Sequence, residues 1–182
     1  MQNKLQEFYK YTTHSNEPKL KNLFYDNIFE GMSFFVFYKN NNFYSVQNWL
    51  GAILLSQNSS IKLHTELLLR RKDAPVGIME ALIFEIFNTL DKSGFSELSL
   101  GEVPFVESDI GISLQNIIFI KTGKLLNFAY NYNGLFNFKN KFNPEWNNLF
   151  LCGFPKITIW DLFNLSVKSN FLSLVIKKSL RI

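Results

Sequence analysis

Residues 61–100 carry the pattern that most restricts the fold of this chain, because two strand-like runs are joined there through a helix. The first run, IKLHTELLLR at 61–70, is followed by a polar turn, KDAPVG. A helix is predicted from 78 to 92, since its apolar residues cover a broad face, and Gly94 is placed to end it. The next run, FSELSLG, predicts another strand. Two strands joined by such a crossover helix run parallel, which requires a sheet with helical cover.

The remaining patterns add elements on both sides of this unit. A β-hairpin or meander is predicted at 32–57 with a polar turn at 39–42, and a further strand at 148–154. Helical spacing predicts additional helices, at 18–29, at 114–131 with an interruption near 122–123, around Gly134, and at 159–180. Together these elements predict an α/β (α+β) fold, in which a mixed β-sheet has a central crossover helix and flanking helices.

The composition suits a single domain over residues 1–182. Hydrophobic residues make up 47% of the chain, and neither an internal repeat nor a Pro/Gly-rich linker divides it. Residues 1–15 are predicted to form a short helix or a flexible arm. Their polar, charged character indicates no signal peptide, and no apolar run reaches the length of a membrane span. The one cysteine, Cys152, fits a reducing cytoplasm, and its apolar neighbours predict a packed thiol in a strand.

Charge is distributed unevenly along the chain. Residues 1–120 contain ten Lys and Arg against thirteen Asp and Glu, whereas residues 121–182 contain nine against two. This asymmetry predicts that the last third faces an anionic partner, either a nucleic-acid backbone or an acidic membrane surface. The alternative is that the basic residues only keep an apolar segment in solution.

Aromatic and basic residues are interleaved between Tyr130 and Trp146, in the run YNYNGLFNFKNKFNPEW. At helical spacing Phe138 and Phe142 share a face, and the two lysines of the run lie off that face on separate sides. One interpretation is a partly buried amphipathic helix whose lysines extend from the core to solvent. The other is a basic surface, backed by aromatic rings, for an anionic substrate such as a phosphate.

Three blocks of sequence resemble the bacterial phosphatidylglycerol lysyltransferase C-terminal domain family, in the family's order and with matching gaps. They are LLLRRKDAPVGIMEALIFEIF at 67–87, LSLGEVPF at 98–105, and GLFNFKNKFNPEW at 134–146, which NNLFLCGFP follows. The resemblance implies a GNAT-like acyltransferase fold. It covers one of the two repeats of the full enzymes, so the chain resembles a free-standing, single-repeat relative.

The resemblance also implies a reaction and its partners. Family members pass an amino acid from aminoacyl-tRNA to the hydroxyl group of phosphatidylglycerol, so the expected partners are aminoacyl-tRNA and an anionic phospholipid or membrane surface, with no cofactor. The reaction needs a basic surface for the tRNA acceptor end, an acidic pocket for the cationic amino group, and a group that stabilises the tetrahedral carbon. We expect a cytoplasmic protein on the inner face of the membrane, whose basic amphipathic helix at 159–180 rests on anionic lipid.

The turn before the crossover helix is a candidate anion site. Arg70 and Arg71 precede it, the helix start offers backbone N–H groups, and Gly77 lets the backbone approach a ligand closely. A solvated strand end is the alternative. CoA-dependent GNAT enzymes carry a glycine-rich signature in this turn, whereas this chain has Ala74 and Val76 in place of the glycines. The substitution disfavours CoA as the donor.

Candidate site residues follow from the resemblance and from their positions. Asp73, Glu80 and Glu102 are the candidate acidic, catalytic residues: they lie in the matching turn, at the helix start (where a carboxylate also simply offsets the helix dipole) and just past a strand end. The substrate-binding candidates are basic or lie in turns and helix starts: Arg70, Arg71, Gly77, Asn133, Gly134, Lys139 and Lys141. No metal site is predicted, and His14 and His64 are expected to be structural.

Departures from the family pattern leave alternatives open. Phe136 and Asn137 stand where family members have arginine, and Glu102 stands where they often have an uncharged residue. We expect an aminoacyl-tRNA-dependent acyltransferase with the family's lipid acceptor or a related one. A CoA-dependent N-acyltransferase and a binding module without turnover are the alternatives. For the enzyme, the Lys139 helix and the mouth of the crossover helix are expected to open into a common cavity.

Overall fold

The computed structural model of the chain describes residues 1–21, 28–40, 42–106, 121, 123–124 and 126–180. Two compact units, unit 1 at Met1–Gly101 and unit 2 at Glu102–Ile182, are described separately below. Residues 114–120, 122 and 125 of the helix predicted at 114–131 lie outside the described residues, as do residues 22–27 of the helix predicted at 18–29. Among the residues described, no helix has both the length and the apolar character needed to cross a bilayer.

A four-stranded sheet in the order β1-β2-β3-β4 forms the centre of unit 1. The strands are β1 (Ser33–Tyr38), β2 (Trp49–Gln57), β3 (Lys62–Arg70) and β4 (Glu97–Ser99), and a short 3₁₀ turn at Val46–Asn48 leads into β2. The first three strands are antiparallel, with Phe35 opposite Ile53 and Ile53 opposite Leu68. The predicted hairpin is therefore confirmed.

The crossover helix lies between β3 and β4, which run parallel as predicted, with Leu63 opposite Leu98. This helix, α2, spans Ile78–Ser93. Gly77 and Gly94 flank it with φ of 91° and 82°, left-handed conformations that glycine adopts without steric cost. The mixed sheet with its crossover helix confirms the predicted fold class.

Helices cover the sheet of unit 1 on both faces. On one face, Leu5 and Phe8 of α1 (Gln2–Tyr9) pack against Trp49 and Ala52, and the rings of Phe8 and Trp49 are 5.5 Å apart. On the other face α2 lies so close to β2 that a Cβ on Gly51 would come within 3.0 Å of a methionine sulfur of α2. Of the two alternatives for residues 1–15, the structure shows the short helix, because two of its apolar side chains belong to the core.

The described helices of unit 2 are α3 (Tyr132–Asn140), α4 (Ile159–Lys168) and α5 (Phe171–Ser179). Thr158 and Asp161 form a reciprocal capping box at the start of α4. The prediction of one continuous helix over 159–180 is wrong. Asn170, in the left-handed conformation with φ of 61°, separates α4 from α5, and asparagine tolerates that conformation better than most residues.

Residues 148–154 are the second correction. We predicted a strand there, but the segment has no regular secondary structure, and among the described residues no strand pairs with it. Its apolar side chains are exposed instead of lying in a core. Cys152 is exposed as well, so the prediction of a packed thiol in a strand is wrong. A run of apolar residues predicts burial, and here the run is exposed, with Leu149 at 72% and Phe150 at 70%.

Candidate functional site

In unit 1, two arginines hold the turn between β3 and α2 in place. Arg70 donates from Nη2 to the carbonyl oxygen of Ala74, at 2.6 Å. Arg71 donates from Nε to Oδ1 of Asp73, also at 2.6 Å, and through Nη1 to the carbonyl oxygen of Gln47. Its guanidinium also lies 5.2 Å from the ring centre of Tyr11. Both cations are thus engaged within the turn and its neighbours.

Asp73 is the candidate acid that the turn presents to solvent. Its side chain is exposed, whereas that of Arg71 is largely covered. The hydrogen bond from Arg71 is the main cause that lowers the pKa of Asp73 below its ordinary value. The residue is therefore a carboxylate at neutral pH. Such a group suits the binding of a cation better than the abstraction of a proton.

Gly77 and Glu80 lie at the start of α2. Gly77 occupies the N-cap position, and a Cβ built on it would meet nothing within 4 Å. Its positive φ, not crowding, is thus what favours glycine here. Glu80 lies in the first turn of α2, half-buried, where a carboxylate interacts favourably with the helix dipole. Val76, at the position of a CoA-signature glycine, is almost fully exposed.

In unit 2, Asn131 caps the start of α3. Its Oδ1 accepts a hydrogen bond from the backbone N of Gly134, at 2.9 Å. A Cβ on Gly134 would come within 2.5 Å of the side-chain nitrogen of Asn131. Glycine is needed at this position because the capping side chain occupies the space. Asn133, another substrate-binding candidate, is exposed, and its backbone N lies 3.5 Å from Oδ1 of Asn127.

Lys139 is buried, with only 3% of its surface exposed. Its Nζ donates to the carbonyl oxygen of Glu102, at 2.9 Å. Burial lowers the pKa of Lys139 to about 8, and the nearby charge of Glu102 opposes part of that shift. The lysine does not extend to solvent, as the partly buried amphipathic helix would require. Lys141 differs, because it follows the end of α3 and is exposed.

The loop at 102–105 is attached to α3 at two points. The first is the Lys139–Glu102 hydrogen bond. The second is an edge-to-face contact between the rings of Phe105 and Tyr132, whose centres are 5.7 Å apart. The loop carries the exposed side chain of Glu102, a candidate acid. The structure therefore brings Lys139 and Glu102 together, and the lysine anchors the loop to α3.

Stacked rings support the far end of α3. Phe136 and Trp146 are stacked with their ring centres 4.8 Å apart, and Trp146 donates from Nε1 to Oδ1 of Asn140 at 3.2 Å. Phe138 and Phe142 meet edge to face at 5.6 Å. These ring contacts pack the residues of α3 and of the segment after it, and a surface for an anionic substrate on them stays a prediction. Phe136, where the resemblance predicts an arginine, stacks on Trp146.

Each of the two histidines has a side-chain partner. His64 of β3 lies with Nδ1 3.0 Å from Oγ of Ser99 on β4, so it links the two parallel strands. His14 pairs with Glu17 at 3.0 Å on the surface. Over the described part of the chain, no three His, Cys, Asp or Glu residues lie close enough together to hold a metal ion.

Sequence reasoning missed two features of these sites. The pairing of Arg71 with Asp73 was not predicted, although opposite charges two residues apart in a turn are a usable signal. The burial of Lys139 was not predicted either, because its partner is a backbone carbonyl that no sequence pattern reveals. The shared cavity expected for the turn and the Lys139 helix stays a prediction.

The sequence model of the family described as "Phosphatidylglycerol lysyltransferase, C-terminal" matches residues 46–153. A curated relative, phosphatidylglycerol lysyltransferase of Bacillus subtilis (strain 168), is 27% identical over 94 residues, which are 50% of this chain and 11% of the relative. The solved structure of L-PGS from Bacillus licheniformis superposes with a TM-score of 0.53 at 20% identity, over 80% of this chain and 42% of that one. The likeness shows a shared fold.

Proposed function

The chain belongs to the phosphatidylglycerol lysyltransferase C-terminal family, and from that premise we propose that it transfers an aminoacyl group from aminoacyl-tRNA to a membrane phospholipid or related acceptor. The family match carries the proposal, because residues 46–153 include the turn at 70–77, the loop at 102–105 and α3. The chain covers 11% of its curated relative's length, so the donor, the acceptor and the partners are proposals for this chain.

The proposed reaction exchanges one ester for another. The hydroxyl oxygen of the lipid attacks the carbonyl carbon of the aminoacyl ester, and a new C–O bond forms. The C–O bond to the terminal ribose of the tRNA then breaks. The proton of the lipid hydroxyl passes to the ribose oxygen that leaves. Atoms and charges balance without a cofactor or a covalent enzyme intermediate.

Asp73 is proposed to bind the ammonium group of the aminoacyl donor. Its carboxylate is exposed and stays ionised at neutral pH, since the hydrogen bond from Arg71 lowers its pKa. The same hydrogen bond fixes the direction of the carboxylate. Arg71 is in turn held by the carbonyl oxygen of Gln47. This arrangement favours a positioned anion over a general base.

Glu102 is proposed to be a second acidic residue of the site. It lies on the loop at 102–105, which the hydrogen bond from Lys139 holds. Lys139 is too deeply buried to bind a phosphate directly, so we assign it a positioning role. Lys141 is exposed and is the better candidate for a phosphate of the lipid or the tRNA. We place the reaction on the cytoplasmic face of a membrane, because it joins a cytoplasmic donor to a lipid acceptor.

The test is an incubation of the purified chain with tRNA that carries a radiolabelled amino acid and with vesicles that contain phosphatidylglycerol. We expect label in the lipid fraction on thin-layer chromatography. Asp73→Asn should lower kcat/KM by about tenfold or more, because a hydrogen bond to a charged group is lost while the shape is kept. Glu97→Gln, an exposed acid on β4 of the same unit, is the matched control.

Two outcomes would replace the proposal. Acyl transfer from a CoA thioester, with a thermal shift on adding CoA, would favour the CoA-dependent N-acyltransferase. Binding of charged tRNA without release of its label would favour a binding module. Equal loss of activity in Asp73→Asn and Glu97→Gln would remove the role assigned to Asp73.

A further inference from the structure

Large apolar side chains are exposed on unit 2, in the segment before α4 and along α4 itself. We name them the C-terminal apolar surface, which comprises Phe150, Leu151, Phe154, Ile159, Trp160 and Phe163. Phe154 is fully exposed, Ile159 is 84% exposed and Trp160 is 74% exposed. No residue of α4 is buried, although the helix is amphipathic. A helix of this kind normally has its apolar side covered.

The two parts of this surface adjoin each other. A cavity of about 270 Å³ lies between them, with Leu151 and Phe154 on one side and Leu162 and Leu165 of α4 on the other. The chain also folds back tightly here, since a Cβ on Gly153 would come within 2.8 Å of a side-chain carbon of Ile157. Large continuous apolar patches are rare on proteins that have no partner, and they mark interaction sites.

Positive charge frames the surface. Lys156 precedes α4 and Lys168 ends it, and both side chains are exposed. Between Glu145 and Asp161 the sequence contains no acidic residue. Asp161 itself accepts hydrogen bonds from the backbone N and the hydroxyl of Thr158, at 2.8 and 2.7 Å, in the capping box. The surroundings of the surface therefore complement an anionic partner.

We propose that the C-terminal apolar surface inserts into the interfacial layer of an anionic bilayer, with Lys156 and Lys168 at the level of the lipid phosphates. Interfacial helices combine aromatic and aliphatic residues on one side with lysines beside them. A second copy of the chain fits less well, because its own Lys156 and Lys168 would repeat the positive charge at the edge of the surface instead of complementing it. A nucleic acid fits less well too, since Leu151 and Ile159 offer neither charge nor a stacking ring.

The inference rests on the proposed function for its expectation of a lipid substrate, and it changes where the membrane contact lies. The sequence suggested one amphipathic helix over 159–180. In the structure, α5 turns Leu174 inward, where it is buried. The contact is therefore assigned to the segment at 150–154 and to α4, which presents apolar residues along its length.

Vesicle flotation of the purified full chain, without tRNA, tests the inference. Phosphatidylcholine vesicles with and without phosphatidylglycerol are the probes. Phe154→Ser with Trp160→Ser should lower the partition coefficient at least tenfold, as expected when two large apolar side chains no longer leave water. Phe84→Ser is the matched control, because it removes an exposed phenylalanine of α2 in unit 1. Circular dichroism spectra should stay unchanged.

A second pair of substitutions separates charge from apolar contact. Lys156→Gln with Lys168→Gln should weaken binding to the phosphatidylglycerol vesicles by about fivefold per lysine and leave binding to neutral vesicles unchanged. Brominated acyl chains should quench the tryptophan fluorescence of wild type, and this quenching should disappear in Trp160→Phe. These measurements need no catalysis. Vesicle binding without lipid aminoacylation would therefore contradict the proposed function and still support this inference.

Three results would overturn the inference. The first is no flotation with either vesicle. The second is an equal loss in Phe84→Ser, which would remove the assignment to this surface. The third is a concentration-dependent dimer, detected by light scattering without lipid, that Trp160→Ser dissociates. That result would assign the surface to a second copy of the chain.

Discussion

Replacement of the buried Lys139 by methionine should change how stability depends on pH. Burial lowers the pKa of Lys139 from 10.5 to about 8. Between these values the unfolded chain binds more protons at this lysine than the folded chain does, so the free energy of unfolding rises with pH. The full shift corresponds to about 3 kcal/mol. Of this, about 1 kcal/mol should appear between pH 7 and pH 9, and about 2.5 kcal/mol by pH 10.

The measurement is urea unfolding of wild type and Lys139→Met across this pH range, followed by tryptophan fluorescence. At neutral pH the two proteins should differ little, because the variant loses a hydrogen bond worth about 1.5–3 kcal/mol and also loses a desolvation penalty of similar size. At alkaline pH wild type should become the more stable protein, since the neutral amine keeps its bond to the carbonyl oxygen of Glu102. The same series on Lys141→Met, whose side chain is exposed, isolates the contribution of burial.

A difference between wild type and Lys139→Met that stays flat from pH 7 to pH 10 would refute this reasoning. It would mean that Lys139 is solvated in the folded protein, as expected if the lysines of an amphipathic α3 extend from the core to solvent. A lysine that reaches solvent could bind phosphate directly. The positioning role assigned to Lys139 would then be withdrawn.

The remaining predictions concern the cap, the turn and the thiol. Gly134→Ala should destabilise wild type by about 1 kcal/mol in urea unfolding, because the new Cβ displaces the capping side chain of Asn131. In an Asn131→Ala background the same substitution should stabilise the protein, because alanine there only improves helix propensity. The same sign in both backgrounds would contradict the capping role. Arg71→Ala should raise the pKa of Asp73 toward its ordinary value, measured by NMR titration of the carboxyl carbon; an unchanged pKa would show that other groups set it. Cys152 should react with a maleimide in the native protein nearly as fast as in urea, because it is exposed, whereas protection would restore the predicted packed strand.

Much of unit 1 follows from local sequence patterns. The crossover helix begins where the turn KDAPVG ends, and Gly94 stops it, because both boundaries depend on residues with strong conformational preferences. Unit 2 was predicted less well for a physical reason. Apolar runs such as LFLC predict burial, but whether another layer covers them is not encoded locally. The break at Asn170 depends on one asparagine that a helix also tolerates.

The sequence indicated which residues belong to the candidate sites better than it indicated what each residue does there. The turn at 70–77 contains the named residues, yet Arg70 and Arg71 are engaged with the carbonyl of Ala74 and with Asp73. Lys139 was named as a ligand of phosphate, and its partner is the backbone of Glu102. Contacts to backbone carbonyls depend on the fold and leave no trace in residue type. Residue types therefore point to the side chains of a site, whereas the partner of each side chain is known only from the structure.

We propose that the chain moves an aminoacyl group from tRNA to lipid, and a single-turnover reaction tests this most directly. The enzyme is in excess over radiolabelled aminoacyl-tRNA, and phosphatidylglycerol vesicles are present. We expect label to leave the tRNA and enter the lipid at the same rate and in equal amount. Release of free amino acid with no label in the lipid would contradict it and would make the chain a hydrolase.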